Sequence, residues 1–243
     1  MGEYILRTKR LSKSYRGVLA LDDVSIELQQ GHVYGFIGNN GAGKTTFMRI
    51  VGGLCKPTGG SLELFGGQDR KRQEQGRRRM GFLIENPIFY PDMSAFQNLM
   101  LQAANKGVQD KKHVQELLEL VGLKDVGKKR VKDFSTGMKQ RYGIAFALIG
   151  WPELLILDEP LNGMDIPNMD KTMELLERLW REKGTTIFLS SHLLGRIYPL
   201  ATDFLFLHQG RLIRTISAEE LRKQIGEKDI EEYFRCLVET ERG

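Results

Sequence analysis

The sequence predicts an α/β protein in which a helical lobe interrupts a mostly parallel sheet. Three observations predict it. Short apolar strands, such as Val33–Ile37, Leu154–Leu157 and Thr185–Leu189, alternate with helical stretches, as a sheet buried on both faces requires. A glycine-rich loop joins the first of these strands to a helix. From about Ser94 to Gly150 the pattern turns helical. At 243 residues the chain is one globular unit or two small lobes, long enough to bury a core.

In chain order, an opening strand is expected to run to Leu11, and a second over Val24–Leu28, where apolar and polar residues alternate. Gln30 and Gly31 make a turn before the apolar strand Val33–Ile37. A helix follows from about Lys44 to Gly53, then a loop over Lys56–Gly60 and a strand over Ser61–Phe65. Met80–Ile84 is another strand. Within the helical lobe Val114–Val121 is a helix stopped by Gly122. Strands return at Leu154–Leu157, Thr185–Leu189 and Asp203–Leu207, and residues 218–243 read as two short helices.

Composition narrows the function classes. The net charge of +5 gathers in Arg70–Arg72, Arg77–Arg79 and Lys128–Arg130, runs that read as solvated faces, so no nucleic-acid partner is expected. Cys55 and Cys236 lack metal-ligand spacing and read as reduced thiols of a cytoplasmic protein. The first residues lack the apolar core of a signal peptide. The most apolar stretch, Gly143–Leu157, is broken by Pro152 and Glu153 and falls short of the ~20 residues a membrane helix needs.

The chemistry begins at Gly38-Asn39-Asn40-Gly41-Ala42-Gly43-Lys44-Thr45, which matches G-x-x-x-x-G-K-[ST] between a strand and a helix. Its glycines let backbone N–H groups turn inward on phosphate oxygens, and the following helix aims its positive end at the same place. Lys44 then neutralises the β/γ-phosphates, the Thr45 hydroxyl ligates Mg²⁺, and Thr46 joins the nucleotide contacts. A nucleoside triphosphate, ATP or GTP, is the ligand class. Leu154–Leu157 ends in Asp158 and Glu159, at the carboxyl end of a strand where such sheets bind ligands. Asp158 is positioned to hold Mg²⁺ through water, and Glu159 to deprotonate the attacking water.

Phe134-Ser135-Thr136-Gly137-Met138-Lys139-Gln140-Arg141 lies about 20 residues before the acid pair. A hydroxyl, a glycine and a helix N-terminus there suit a second anion site. With this segment in place, the order of motifs resembles the ATP-binding cassette (ABC) family over nearly the whole chain, the segment being similar to LSGGQ-x-R. Thr136 and Met138 depart from that pattern, replacing its first glycine and its glutamine. The resemblance implies a P-loop NTPase (RecA-like) core with an N-terminal antiparallel β subdomain and a helical subdomain at about 86–150. An ATPase domain would then occupy 1–217 and a helical tail 218–243. It further implies that Ser135 and Gly137 cap ATP held by a second ABC ATPase subunit, the two cassettes closing head-to-tail on Mg-ATP.

Other roles are carried over in the same way. Tyr15 falls where the family has an aromatic that stacks on adenine, and Leu161–Asp165 is similar to the D-loop that crosses between subunits. His192, after Leu189-Ser190-Ser191, resembles the histidine that senses the γ-phosphate, so Glu159, His192 and Lys44 form the catalytic set. Where the family places a Gln that touches Mg²⁺ and the lytic water, this chain has Glu85. That Glu and the Met-Lys-Gln-Arg ending are similar to the branch that exports bacitracin and lantibiotics. The resemblance implies a separate transmembrane permease, docked beside Ile88, Phe89 and Tyr90, and hence a location at the inner face of the cell membrane. The alternative function is a soluble ABC ATPase acting on ribosomes or nucleic acid. Such proteins typically carry two cassettes or a long coiled coil, for which the interval from Thr45 to Ser135 has no room.

Overall fold

The computed structural model describes residues 3–85, 89–226 and 229–240. Ile88, expected above among the permease contacts, lies outside the described residues. Two sheets organise the chain. The first is antiparallel: β1 (Tyr4–Tyr15) pairs with β2 (Val18–Val24), β3 (Glu27–Gln29) and β5 (Gly59–Leu64). The second has the order β10-β9-β4-β8-β7-β6, built from β4 (Val33–Ile37), β6 (Met80–Leu83), β7 (Leu154–Leu157), β8 (Thr186–Ser191), β9 (Asp203–His208) and β10 (Arg211–Ser217). Its pairings are parallel except for β10 against β9.

Every residue of β4, β7 and β8 is buried, the condition anticipated from their unbroken apolar runs. Alternation along these strands sends side chains to opposite faces. Tyr34, Phe36, Ile156, Phe188 and Leu205 join α1 (Lys44–Val51) and the antiparallel sheet on one side. Val33, Ile37, Leu157, Leu189, Phe204 and Phe206 join the helices on the other. Each such side chain contributes roughly 1.5–3 kcal/mol on burial, so the sheet that carries the loops is anchored by a core on both faces.

Sequence reasoning mistook the N-terminal strands. Val24–Leu28 is not one strand: Val24 ends β2 opposite Leu11, whereas Glu27 and Leu28 begin a new pairing with Arg7 and Leu6. Thr8 sits at the break. Its buried hydroxyl donates to Val24 O (3.1 Å) and accepts from Ile26 N (2.9 Å), beside a main-chain bond from Thr8 N to Ile26 O (2.8 Å), so a side chain shares in bridging the two stretches of backbone. The opening strand also runs on to Tyr15, and β10, a half-exposed edge strand, went unread. The basic run Arg70–Arg78 forms α2, capped by Asp69 and buried only at Gly76, as a solvated face should be.

Between β6 and β7 lie α3 (Ala95–Asn105), α4 (Lys111–Leu120) and α5 (Thr136–Ala147). Tyr142 of α5 is wholly buried and donates its hydroxyl to Ala95 O at the start of α3 (2.7 Å). The return to β7 passes through Gly150 (φ 82°) and Trp151 (φ 49°). Two side chains hold this turn: Lys106 Nζ donates to Ile149 O (3.2 Å), and Gly150 N donates to His113 Nε2 (3.0 Å). Burial pushes the His113 pKa below its usual 6.5, against the opposing pull of Glu116 and Asp110. The folded state therefore favours neutral imidazole. The stabilisation is complete above the unfolded value near 6.5 and is lost as pH falls through the lowered folded value. We expect His113→Gln to cost more stability at pH 7.5 than at pH 5.5, measured by urea denaturation at both; an equal cost would rule out His113 titration as the source.

Beyond β7 come α6 (Ile166–Lys183), the short α7 (Leu194–Ile197) after β8, and α8 (Ala218–Ile225) and α9 (Ile230–Thr240) after β10. Helix α9 folds back on the sheet, where Phe234 stacks on Phe206 at 5.7 Å and Tyr233 meets the same ring edge-on. Its Glu231 accepts from Gly195 N (3.1 Å), tying it to α7. No helix among the described residues is long and apolar enough to cross a membrane.

Candidate active site

The loop 38–43 leaves β4 and is shaped from outside. A Cβ on Gly38 would lie 2.5 Å from Leu207 O, and one on Gly43 (φ 110°) would lie 2.6 Å from Ala20 O. Only glycine lets the loop press between β9 and β2. Gly210 N donates to Ala42 O (2.9 Å) and fastens the loop to the β9–β10 turn. Gly43 precedes α1 and offers no side chain as a cap, so the first-turn N–H groups are open to an anion. Asn39, Asn40 and Gly41 are exposed at the rim, while Thr46 is half-buried in the first turn of α1. The Lys44 side chain is buried, its ammonium donating to Gly38 O (2.6 Å) and Asn39 O (3.3 Å) of its own loop. An anion entering the loop gains a cation already held in place by the surrounding backbone.

Parallel register carries the acids to the same edge. Leu157 lies opposite Leu83 and Leu189, and Asp158 N donates to Leu83 O (2.7 Å). The Thr45 hydroxyl donates to Asp158 Oδ2 (2.6 Å). A hydroxyl and a carboxylate in contact are the hard oxygen donors that Mg²⁺ takes, so these residues fit the ion. Glu159 adopts φ 48° and turns its carboxylate toward the loop, with Oε1 at 3.5 Å from Lys44 Nζ. That oxygen is shielded and has no hydrogen-bond partner among the described residues. The other, Oε2, meets His192 Nδ1 at 2.8 Å and accepts from His192 N at 3.3 Å. Lys44, Thr45, Asp158, Glu159 and His192 thus form one contiguous cluster, assembled from three loops of the sheet.

Four predicted site residues stand apart from this cluster. Tyr15 is 41% exposed and lies beside Cys55 (3.6 Å from hydroxyl to thiol) and under the Lys13 ammonium (4.8 Å from the ring centre). Its hydrogen bond with Cys55 raises its pKa. Glu85 (φ 60°) forms an ion pair with Arg49, which lies one helical turn after Thr45 on α1. Ser135 is the exposed N-cap of α5, accepting from Met138 N (3.3 Å), and Gly137 lies in the first turn of that helix. Neither Ser135 nor Gly137 is hydrogen-bonded to the loop 38–46 of its own chain. Two residues were missed. Ser190 hydrogen-bonds to both acids, and Arg49 holds Glu85. A serine inside an apolar strand beside two lone acids was the available signal for the first; nothing local marks Arg49.

The ABC transporter family model matches residues 21–162, more than half of the chain. This chain belongs to the ABC transporter family. Among its relatives is the bacitracin transport ATP-binding protein BcrA of Bacillus licheniformis, 43% identical over 90% of this chain and 72% of that protein. The lantibiotic transport ATP-binding protein SrtF of Streptococcus pyogenes is 39% identical over 96% of this chain and 97% of its own length. An uncharacterised ABC transporter ATP-binding protein of Bacillus subtilis, YcbN, is 43% identical over 91% of this chain and 72% of that protein. Among solved structures, the ATP-binding subunit of an ABC transporter superposes with a TM-score of 0.85 at 29% identity, covering 96% of this chain and 99% of the other. A dimeric cassette in a post-hydrolysis state, bound to ADP and Pi, superposes with a TM-score of 0.81 at 25% identity over 88% of this chain and 99% of that one. This ABC protein is therefore the ATP-binding subunit of a transporter, an ATPase that uses ATP with Mg²⁺.

Proposed function

We propose that this ABC ATPase drives a separate membrane permease in the export of peptide antibiotics or similar compounds. The observation that carries the reading is its 43% identity to a bacitracin transport ATP-binding protein over 90% of the chain. In this reading the loop 38–46 holds the phosphates of ATP, Tyr15 stacks on adenine, and Thr45 and Asp158 hold Mg²⁺, with Glu85 reaching the ion from its seat on Arg49. Glu159 takes a proton from the attacking water, and His192, in contact with Glu159, holds the base and reports the γ-phosphate. Ser135 and Gly137 serve the nucleotide of a second cassette, so the working unit is a head-to-tail pair. The ATPase domain spans 1–217, interrupted by the helical subdomain at about 86–150, and the pair sits at the inner face of the cell membrane through its permease.

The permease contact is placed beside Phe89 and Tyr90. Phe89 packs on Tyr142 (4.8 Å) and Phe146 (5.6 Å), whereas Tyr90 is 60% exposed. Together with Asn98, Leu101 and Gln102 they line a cleft beside α3. The test is ATPase activity of the subunit alone and in complex with its permease. Tyr90→Ala is expected to leave basal hydrolysis within about twofold, because an exposed side chain contributes little to the fold, yet to weaken assembly or stimulation. Unchanged assembly and stimulation would move the docking surface elsewhere.

A further inference from the structure

Ser190 has no assigned role, yet it is the wholly buried side chain at which the two acids meet. A hydroxyl has one proton to give and lone pairs to receive, and Ser190 uses both. Its Oγ–H donates to Asp158 Oδ1 at 2.6 Å, and it accepts from Glu159 N at 2.8 Å. The first bond leaves Asp158 with Oδ2 turned to the Thr45 hydroxyl. The second anchors the backbone of Glu159 in a conformation, φ 48°, that a non-glycine residue adopts only when its surroundings enforce it. Two residues further along the same segment, His192 grips the Glu159 carboxylate. One end of β8 therefore holds the acid pair twice, by main chain and by side chain.

We infer that Ser190 is a positioning residue for ATP hydrolysis: through a single hydroxyl it fixes the direction of Asp158 toward the metal and the backbone of Glu159 toward the water. The inference rests on the proposed roles of Asp158 and Glu159. Partners one shell behind a metal ligand typically carry ~10–100-fold in metal affinity or activity. No other hydrogen-bond donor to Asp158 Oδ1 is present among the described residues, so alanine has no substitute for Ser190.

The test combines turnover with binding of a fluorescent ATP analogue, the latter in a Glu159→Gln background so that no nucleotide is consumed. Ser190→Ala is expected to lower kcat ~10–100-fold and to shrink the gain in nucleotide affinity on adding Mg²⁺ about tenfold. Affinity in EDTA should stay as in the parent, while Tm falls by a few degrees because Asp158 Oδ1 and Glu159 N both lose their partner. Ser190→Thr, which keeps the hydroxyl, should restore most of the Mg²⁺ gain. Wild-type kcat and Mg²⁺ gain in Ser190→Ala would overturn the inference. So would a fall in EDTA affinity as large as the fall with Mg²⁺, which would assign the residue to packing, or a Thr variant of unchanged Tm as impaired as alanine. Failure of the proposed roles themselves would read differently: Glu159→Gln would then turn over as fast as wild type.

Discussion

Glu159→Gln is expected to lower ATP turnover by ~10²–10⁴-fold while ATP binding survives. The amide keeps the length and shape of the side chain, and its oxygen can still accept from His192 N as Oε2 does now. What it loses is basicity. Glu159 Oε1 is shielded and has no hydrogen-bond partner among the described residues, beside the Lys44 ammonium at 3.5 Å, and in the proposed role it is the atom that takes a proton from a water at the γ-phosphate. Lys44→Ala should fail differently, losing nucleotide affinity itself, because among the described residues its ammonium is the only side-chain cation placed on the loop carbonyls. Steady-state hydrolysis and equilibrium binding, run on both variants, separate the two effects. Wild-type turnover in Glu159→Gln would remove Glu159 as the base.

Assembly is the second place where one substitution should be decisive. Addition of ATP to Glu159→Gln is expected to yield a dimer by light scattering, and Ser135→Arg to abolish it. Ser135 is exposed and a Cβ on Gly137 would meet nothing closer than Asn168 Nδ2 at 3.9 Å, so this surface is open to a ligand arriving from outside the chain. Arginine there fills the opening and deletes the helix cap, a local cost of about 0.5–2 kcal/mol that the well-buried α5 can absorb. The variant should therefore stay folded and monomeric. Hydrolysis that is independent of protein concentration and of any second cassette would refute the shared-site arrangement.

Much of this was legible because the informative spacings are short. The glycine loop and Lys44-Thr45 are contiguous, as are Asp158 and Glu159 behind four apolar residues, and burial on both faces leaves β4, β7 and β8 no other pattern. The failures share the opposite property. The break between Val24 and Glu27 is spanned by the hydroxyl of Thr8, on another strand, and alternation alone continues smoothly across it. Ser190 meets its partners 31 and 32 residues away in sequence, a distance no local pattern spans. Glu85 was read for a metal role, but its ion pair with Arg49 spans 36 residues and has no local signature. Strand β10 escaped notice because an edge strand with one neighbour buries too few side chains to leave a rhythm.

The aromatic stack of α9 has a mechanical consequence. Phe234 and Tyr233 close on Phe206, and the next residue of that strand presses its carbonyl against Gly38. In the same first turn, Glu231 accepts from Gly195 N, just past the histidine that touches Glu159. A force applied to this helix thus reaches the glycine loop by one route and the Glu159 carboxylate by another, each through a few packed or hydrogen-bonded residues. Anything tethered there, whether a fused domain or an affinity handle, pulls on the engine as well as on the casing.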